Sequence, residues 1–303
     1  MNKIIIIISI IILLLIINNL KKYIDLKENF DGNTKSEKKK YILPKVIYGF
    51  WDDLDTNPII QSHIRNWKRK FSSDWEIIIL NKDNVYKHVD SKFLNKFGTG
   101  KIDATRFADF LRIDLLKRKG GCWIDASIFI IDGKFLDDYY DEMHKNKYDA
   151  CFYEYKENTI LPSQPHIDNW FMMAPKGSKI ITDLYYEFER AFDMDFLKYK
   201  FDVLLPSGIL MDRTIGYGDS TYLLQHAIFH YLYKEGNTYN IVLKNASESM
   251  YKIQSIFSWD NEKVIEYVLF NDDWKGYYGI KLTKSNRSEI KDIDEYVKHI
   301  DKF

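Results

Sequence analysis

One segment near the middle of the chain constrains the fold most: a helix, a glycine pair and a buried strand follow one another directly. The stretch "IDATRFADFLRIDLLKRKGG" stops at glycine and carries one apolar helical stripe, formed by Ala104, Ala108, Leu111 and Leu115. The apolar run 122–131 that follows has the composition of a buried strand. A helix that leads straight into such a strand is typical of an α/β fold.

The residues before this segment repeat the alternation. Residues 45–51, "KVIYGFW", are β-branched and aromatic and predict a strand. A helix follows, with Asn57 as its cap and Pro58 at its first position, and then a short buried strand over 75–80. The stretch "NKDNVYKHV" predicts the start of another helix. Strands alternating with helices of this length predict a mainly parallel central sheet flanked by helices.

The second half of the chain is less regular. The stretch "DNWFMMAP" predicts a strand, and "GSKIITDLYYEFERAF" and "STYLLQHAIFHYLYK" predict helices. The piece "YKIQSIF" has a strand-like composition. The sequence contains no internal repeat or Pro-rich linker, so we expect one catalytic-sized domain over 42–303.

The N-terminus is strongly apolar. Residues 4–17 are apolar except for Ser9, and a helix extended to Leu20 would be about 25 Å long. Flanking lysines could snorkel to bridge the remaining thickness of a bilayer. We therefore expect a transmembrane signal-anchor helix over 4–20, a polar stem over 21–41 and a single-pass membrane location with the lipid bilayer as a partner. A cleaved signal peptide is the alternative, although no small-x-small cleavage site follows. The orientation stays open.

The overall composition narrows the function classes. Lysine plus arginine and aspartate plus glutamate each number 44, so the formal net charge is zero. A nucleic-acid-binding protein usually has a basic excess, and we expect no nucleic-acid partner. The only cysteines, Cys122 and Cys151, have no CxxC neighbour, which argues against a disulfide framework and a zinc knuckle.

Three charged residues of the central segment are candidates for chemistry. Asp125 lies at the far end of the predicted strand, where ligands of parallel sheets collect, and its carboxylate could hold a hard divalent cation. Asp109 and Arg112 are three residues apart on the preceding helix, so their side chains can project together. The plainer alternatives are an acid that caps a loop and a solvated ion pair on a helix surface.

Several other side chains have both a structural and a functional interpretation. His226 and His230 share one helix face, but "HAIFH" lacks the glutamate of a zinc-protease motif. We expect His230 to be packed in the core, while His226 could be packed or a ligand. Trp51 and Trp170, taken alone, are typical of core residues, and Asn169 beside Trp170 could face a sugar.

The segment "ADFLRIDLLKRKGGCWIDAS" resembles the A-D-x-x-R-x-x-x-L-x-x-x-G-G-x-[WY]-x-D-x-[DST] signature of the capsular polysaccharide synthesis proteins, which belong with the DXD sugar transferases of glycosyltransferase family 32. "LPKVIYGFWDDLDTNPIIQSHIRNWKRKFSSDWEIIILNKDN" is similar to the family's opening. "NWFMMAPKGSKII" and "TYLLQHAIFHYLY" are similar to its later segments. The likeness covers most of residues 42–235.

This resemblance implies a GT-A fold that transfers a sugar from a nucleotide-sugar donor, UDP- or GDP-linked, to a glycan acceptor such as a surface or capsular polysaccharide. It also implies retention at the anomeric carbon. Asp125 matches the first acid of the DXD motif and would bind Mn²⁺ or Mg²⁺ on the donor diphosphate, together with the late histidine, His226. Asp109 and Arg112 match the family's D-x-x-R pair, which would hold the donor's ribose or sugar hydroxyls.

The resemblance extends to the donor-binding residues, with one departure. Trp51, or Phe50 beside it, matches the aromatic residue that stacks on the nucleobase, and Asn169 is a further donor-binding candidate. Ser127 stands where the second acid of the DXD motif would be and could orient a metal-bound water. This substitution motivates an alternative function: a catalytically inactive, membrane-anchored glycan- or nucleotide-binding protein of the same fold.

Overall fold

The first described elements are a strand, a helix and a second strand that pairs in parallel with the first. The computed structural model describes residues 40–98, 100–209, 220–234, 238–271 and 273–303, and Ile42–Phe303 forms one compact unit. The predicted membrane segment 4–20 and nearly all of the predicted stem lie outside the described residues. Within the described part of the chain, no helix has the length and apolar character needed to cross a membrane.

The described residues form eight strands in two sheets: β1 Val46–Phe50, β2 Glu76–Leu80, β3 Gly121–Ile124, β4 Ile128–Ile130, β5 Ala150–Glu154, β6 Ile167–Ala174, β7 Ile241–Asn245 and β8 Gly279–Lys281. The large sheet has the order β2-β1-β3-β6-β5-β7. Three of its five pairings are parallel, and both antiparallel pairings involve β6. The prediction of a mostly parallel central sheet in an α/β fold is therefore confirmed.

The helices are α1 Pro58–Lys70, α2 Ser91–Phe97, α3 Ala104–Lys119, α4 Lys134–Asn146, α5 Lys179–Asp193, α6 Phe196–Tyr199, α7 Leu224–Lys234, α8 Lys252–Ile256, α9 Asn261–Phe270, α10 Lys284–Ser288 and α11 Ile293–Ile300. Helices α3, α5 and α7 bury residues in one hydrophobic core with the large sheet. A second core joins Phe129 of β4 to α9, α11 and β8. The C-terminal part of the chain thus packs around the small sheet.

The central helix ends at the glycine pair, as the sequence predicts, and its start is set by a capping residue. Asp103 caps α3, because its side chain accepts hydrogen bonds from the backbone N–H groups of Thr105 and Arg106. The glycine pair that follows is required by space as well as by backbone conformation. A Cβ at Gly120, where φ is +73°, would lie 2.5 Å from the backbone nitrogen of Lys176. The Gly-Gly turn therefore lets α3 lead directly into β3 beside its neighbours.

The predicted strand over 122–131 is wrong in its extent. β3 ends at Ile124, residues 125–127 turn, and β4 leaves the large sheet to pair antiparallel with β8. The turn is closed by a hydrogen bond from the backbone N–H of Ile128 to the carbonyl oxygen of Asp125. The candidate acid thus lies on a turn between two sheets rather than inside one long strand.

Two smaller predictions are also wrong. The stretch "NKDNVYKHV" forms only a 3₁₀ turn over Val85–Lys87, because the side chain of Asn84 bonds the backbone of Ile79 and Asn81 and so competes with helical hydrogen bonds. The strand-like piece "YKIQSIF" contains the short helix α8. Its apolar residues pack in a helical rather than an alternating pattern, which a short apolar run does not reveal.

Candidate active site

A cleft of about 1100 Å³ opens at one edge of the large sheet. Trp51 follows the end of β1 and Asp125 follows the end of β3, and these parallel strands end at the same edge. β6 runs antiparallel to β3, so its first residues, Asp168 and Asn169, reach the same edge from the other direction. The topology therefore brings residues from distant parts of the chain around one cavity.

Helix α3 carries a buried row of charges, and Arg112 at the end of this row lines the cleft. Asp109 lies between two guanidinium groups, with its carboxylate oxygens 3.1 Å from Arg106 Nη1 and 3.1 Å from Arg112 Nη1. All three residues are buried. Buried charges of this kind need partners, because an unpaired ion in the interior is costly. Asp109 and Arg112, which are three residues apart in the sequence, therefore belong to a buried cluster of charges rather than to a solvated ion pair on the helix surface.

Asp125 contacts both Arg112 of this row and Lys281 of β8. Its Oδ1 lies 3.5 Å from Arg112 Nη2 and accepts a hydrogen bond of 2.9 Å from the indole N–H of Trp123. Its Oδ2 accepts a hydrogen bond of 2.7 Å from Lys281 Nζ. Burial opposes ionisation of this carboxyl, but Lys281 and Arg112 outweigh it, so the pKa of Asp125 is lowered. We call Arg106, Asp109, Arg112, Asp125 and Lys281 the ion-pair network.

Lys281 was not predicted from the sequence. It ends β8, and the pairing of β8 with β4 carries its ammonium group to the turn that holds Asp125. The same ammonium donates a hydrogen bond of 2.7 Å to Ser127 Oγ. Lys281 lies beyond the segments on which the family resemblance rests and carries no motif of its own, so only the folded chain identifies it.

An arginine side chain that was not predicted from the sequence lies beside the predicted base-stacking residue. Phe50 and Trp51 both line the cleft, but Phe50 is buried against Phe107, with ring centroids 5.3 Å apart, whereas Trp51 is half-buried. Arg287, from α10, lies with its Cζ 5.1 Å from the Trp51 ring centroid. Trp51 is therefore the more exposed of the two predicted aromatic side chains, with Arg287 beside it.

Asn169 is held against the ion-pair network. Its side-chain amide donates hydrogen bonds to Asp109 Oδ1 at 3.2 Å and to Gln225 Oε1 at 2.9 Å. Gln225 in turn donates to the backbone oxygen of Asp109 at 3.2 Å. Neighbouring Trp170 is buried in the core, stacked on Tyr153. Asn169 therefore faces the cleft beside Asp109, and Gln225 is a further residue that the sequence did not single out.

A second group of side chains, which we call the histidine cluster, consists of His166, Asp168 and His226. Asp168 Oδ1 lies 3.9 Å from His166 Nε2 and 3.8 Å from His226 Nε2. The two imidazole rings stack with centroids 5.1 Å apart, and all three residues are buried. His226 was predicted to share a metal with Asp125, but its close neighbours are His166 and Asp168.

The pKa values in the histidine cluster are shifted mainly by burial. Burial lowers the pKa of His226 to about 3 and that of His166 to about 4, and it raises the pKa of Asp168 to about 6. Both imidazoles are therefore neutral at neutral pH. His230, four residues after His226, instead hydrogen-bonds the carbonyl oxygen of Pro165 through Nε2 at 2.9 Å, which confirms its predicted packed position.

The surroundings of Asp125 do not fit a divalent cation as they stand. Lys281 Nζ lies against both Asp125 and Ser127, the two positions of the motif that would face the metal. Arg112 and Arg287 add further positive charge nearby, as their electrostatic interactions with Lys281 indicate. A metal ion bound at Asp125 would therefore have to displace an ammonium group and lie close to two guanidinium groups.

The sequence of the chain matches the profile of one protein family. The sequence profile of the capsular polysaccharide synthesis proteins matches residues 12–205. The chain belongs to this family. The matched region contains Asp109, Arg112 and Asp125 and ends before α7, β8 and α10, so His226, Lys281 and Arg287 lie outside it.

Individual relatives are more distant. The chain is 28% identical over 165 residues to the O-glycosyltransferase braB of Annulohypoxylon truncatum, covering 49% of this chain and 38% of the relative. It is 24% identical over 151 residues to the O-glycosyltransferase PaGT of Phomopsis amygdali, covering 45% and 36%. The chain thus spans less than half the length of these curated relatives. The glycosyltransferase GlyE of Streptococcus pneumoniae is similar in structure, with a TM-score of 0.43 at 9% identity, covering 84% of this chain and 62% of that one.

Proposed function

We propose that the chain is a glycosyltransferase of the GT-A fold that moves a sugar from a nucleotide-sugar donor, UDP- or GDP-linked, to a glycan acceptor of the surface or capsular polysaccharide type. One observation carries this proposal. The ion-pair network holds three cations against two carboxylates at the carboxyl-end crevice of the sheet, and Arg287 adds a fourth cation. Of these cations, Arg112, Lys281 and Arg287 line the cleft around the single carboxylate of Asp125 and form a local positive patch that complements an anionic diphosphate, although Asp52, Asp53, Glu157 and Asp168 also line the cleft. The family membership agrees with this chemistry.

We place the donor by the chemistry of the cleft. Lys281, Arg112 and Arg287 would contact the diphosphate, and Arg112 Nε, which is buried, has no hydrogen-bond acceptor among the described residues and so remains free to donate. Asp109 and Asn169 lie side by side and would bind donor hydroxyls. The Trp51 ring would stack on the base.

The transfer step develops negative charge on the departing diphosphate and positive charge on the anomeric carbon. Lys281 and Arg112 are already held in place by Asp125, so they can stabilise the leaving group without reorganisation at the moment of reaction. A carboxylate beside the sugar would favour the oxocarbenium-like state. Retention at the anomeric carbon is part of the proposal, and NMR of the first-formed product anomer tests it.

The sequence also predicts dependence on Mn²⁺ or Mg²⁺ at Asp125. The position of Lys281 favours a different assignment, in which the ammonium group itself supplies the charge at the diphosphate. The variant Lys281→Met separates the two. If Lys281 supplies the charge, the variant loses transfer with or without added Mn²⁺. If the ion displaces Lys281, the variant keeps Mn²⁺-dependent transfer.

The main experiment measures donor hydrolysis and transfer over a panel of nucleotide sugars by mass spectrometry. We expect Asp125→Ala and Lys281→Met each to lower kcat/KM by about 10²–10³, the range for loss of one preorganised electrostatic group. Arg65→Gln is the control, because Arg65 pairs with Asp301 in an exposed ion pair and does not line the cleft. Equal rates for the wild type and Asp125→Ala would contradict the proposal.

A non-catalytic member of the family is the second candidate. Ser127 in place of an acid, bonded to Lys281, is the observation that favours it. Calorimetry with UDP and GDP, combined with the donor panel, distinguishes the two. Nucleotide binding without turnover of any donor supports the binding protein, whereas turnover supports the enzyme.

We further propose that residues 4–20 anchor the domain to a membrane as a single-pass helix. Their length and apolar composition support this location. Fractionation of the full chain and of a chain lacking residues 1–20 tests the proposal, because only the full chain should stay with the membrane after a salt and carbonate wash.

A further inference from the structure

We propose that the histidine cluster is a binding site for a first-row divalent transition metal such as Zn²⁺ or Mn²⁺, held by His166, Asp168 and His226. This inference goes beyond the proposed function, because the site is built from protein side chains alone and needs neither Asp125 nor a nucleotide.

The donor atoms have the separations that a metal site requires. Asp168 Oδ1 lies 3.8 Å and 3.9 Å from the two imidazole nitrogens, and one ligand atom from each residue lies within 4.8 Å of the others. Two metal–ligand bonds of about 2.1 Å can bridge up to about 4.2 Å. Bonds of this length at the tetrahedral angle place ligand atoms about 3.4 Å apart, so the two distances from Asp168 would shorten by about 0.5 Å and the distance between the imidazole nitrogens by up to about 1.4 Å.

Several buried polar atoms of the histidine cluster lack a well-aligned hydrogen bond to the protein. His166 Nδ1 is buried and has no hydrogen-bond partner among the described residues, and Asp168 Oδ2 and His226 Nδ1 are buried without a well-aligned one, although the Trp170 indole interacts with Asp168 and the Leu223 carbonyl with His226. Most buried polar atoms in folded proteins are hydrogen-bonded, and each exception calls for an explanation. A cation bound to Asp168 would neutralise its carboxylate and remove the free-energy cost of burying that charge without a counter-charge.

The cluster is also accessible and held in position. All three residues line the same cleft as Asp125. Asp168 lies near the start of β6, His166 directly precedes this strand and His226 comes from α7. The hydrogen bond from His230 to Pro165 ties α7 to the segment that leads into β6. A site fixed from two elements is preorganised for a ligand.

Ligand chemistry selects the kind of metal. Two imidazoles and one carboxylate suit Zn²⁺, Fe²⁺ or Mn²⁺, whereas Mg²⁺ and Ca²⁺ prefer a shell of oxygen ligands. Three protein ligands leave at least one coordination position open toward the cleft. An oxygen of a bound glycan or nucleotide sugar is the class of ligand that could fill it.

The test is titration of the metal-free, untagged 303-residue chain in detergent with Co²⁺, read by visible absorption and calorimetry in the absence of nucleotide. We expect one equivalent to bind, with competition by Zn²⁺ but not by Mg²⁺. Asp168→Asn and His226→Gln should weaken binding at least about 100-fold, consistent with the loss of one ligand from a metal site. His88→Ala, which alters a histidine that does not line the cleft, should leave the affinity unchanged, and Asp125→Asn, whose charge acts on the cluster only through space, should weaken binding far less than Asp168→Asn.

Three outcomes overturn the inference: no binding by the wild type at millimolar Co²⁺, unchanged binding by Asp168→Asn, or loss of binding in Asp125→Asn alone. The last would place the ion at Asp125. Circular dichroism of each variant verifies that it is folded. Since no donor is present, this test stands even if the protein transfers no sugar, and transfer activity can be established even if no metal binds.

Discussion

The ion-pair network and the histidine cluster both contain buried carboxylates. The carboxylates of the network contact cationic side chains, whereas the carboxylate of the histidine cluster does not. In the ion-pair network, Asp109 contacts two guanidinium groups and Asp125 contacts Lys281 and Arg112. In the histidine cluster, the basic side chains nearest Asp168 are two imidazoles that are neutral at neutral pH, and its Oδ2 has no well-aligned hydrogen-bond partner among the described residues beyond a contact with the Trp170 indole.

This difference indicates that the paired charges serve the stability of the fold, whereas the unpaired carboxylate serves ligand binding. A paired buried charge is costly to disturb, because removing one partner leaves the other unpaired. An unpaired buried carboxylate already destabilises the native state, and a protein retains such a group where it serves a function. The same mutation, aspartate to asparagine, should therefore have opposite effects on stability in the two groups.

The largest effect is expected at Asp109. Asp109→Asn keeps the shape of the side chain, removes the carboxylate that Arg106 contacts and leaves Arg112 with Asp125 alone, so we expect a loss of about 3–5 kcal/mol in the free energy of unfolding. Urea denaturation followed by circular dichroism measures it. Asp301→Asn, in the exposed pair with Arg65, is the control and should cost less than about 1 kcal/mol. Equal costs for the two variants would mean that the network is not held by charge pairing.

The next effect has the opposite sign. Burial raises the pKa of Asp168 to about 6 from its ordinary 3.8. The contribution of this group to stability is therefore fully present below about pH 4 and is lost as the pH rises through 6. We expect metal-free Asp168→Asn to be more stable than the wild type by about 1–3 kcal/mol at pH 8, with the gain absent near pH 4. Urea denaturation with a chelator measures it, and a variant that is less stable at pH 8 would contradict the comparison.

The smallest effect concerns a histidine outside both groups. His63 is as buried as His226, but its Nδ1 donates to the Ala126 carbonyl at 3.2 Å and its Nε2 accepts from the Tyr296 hydroxyl at 2.8 Å. Burial lowers the pKa of His63 to about 3. Its stabilising contribution is complete above about pH 6.5 and is lost as the pH falls toward 3.

Replacing His63 therefore changes the pH dependence of stability. In His63→Leu we expect the fall in the free energy of unfolding below pH 6.5 to be shallower by about 1.4 kcal/mol per pH unit, the value for one proton. Denaturation curves between pH 5 and 8 measure the slope. The half-buried His88 provides the control through His88→Leu, which should change it less. An unchanged slope in His63→Leu would show that this buried histidine does not titrate on unfolding.

Local patterns predicted much of the fold. The helix before the glycine pair, the first two strands and the mostly parallel sheet follow from apolar periodicity and from cap and breaker residues. The strand after the glycines was predicted too long, because an apolar run does not reveal that β4 changes sheets after Asp125. The same limit applies to "YKIQSIF", which forms a helix.

The candidate site was predicted in part. The spacing of Asp109 and Arg112 and the position of Asp125 led to three side chains that the structure brings together, while their roles in catalysis stay predictions. Lys281 and Arg287 were missed because they come from distant segments without a motif. His166 and Asp168 were missed because a single histidine and a single acid next to a strand are common in any sequence.

The sequence by itself determined most of the segments that form helices and strands, because the periodicity of apolar residues and the properties of glycine, proline and capping residues act over a few positions. Only the tertiary structure decided which charges meet. The antiparallel pairing of β4 with β8 places Lys281 on Asp125, and the packing of α7 near the start of β6 places His226 beside Asp168. Electrostatic interactions depend on distance in space and on burial, and neither is encoded in the separation of two residues along the chain.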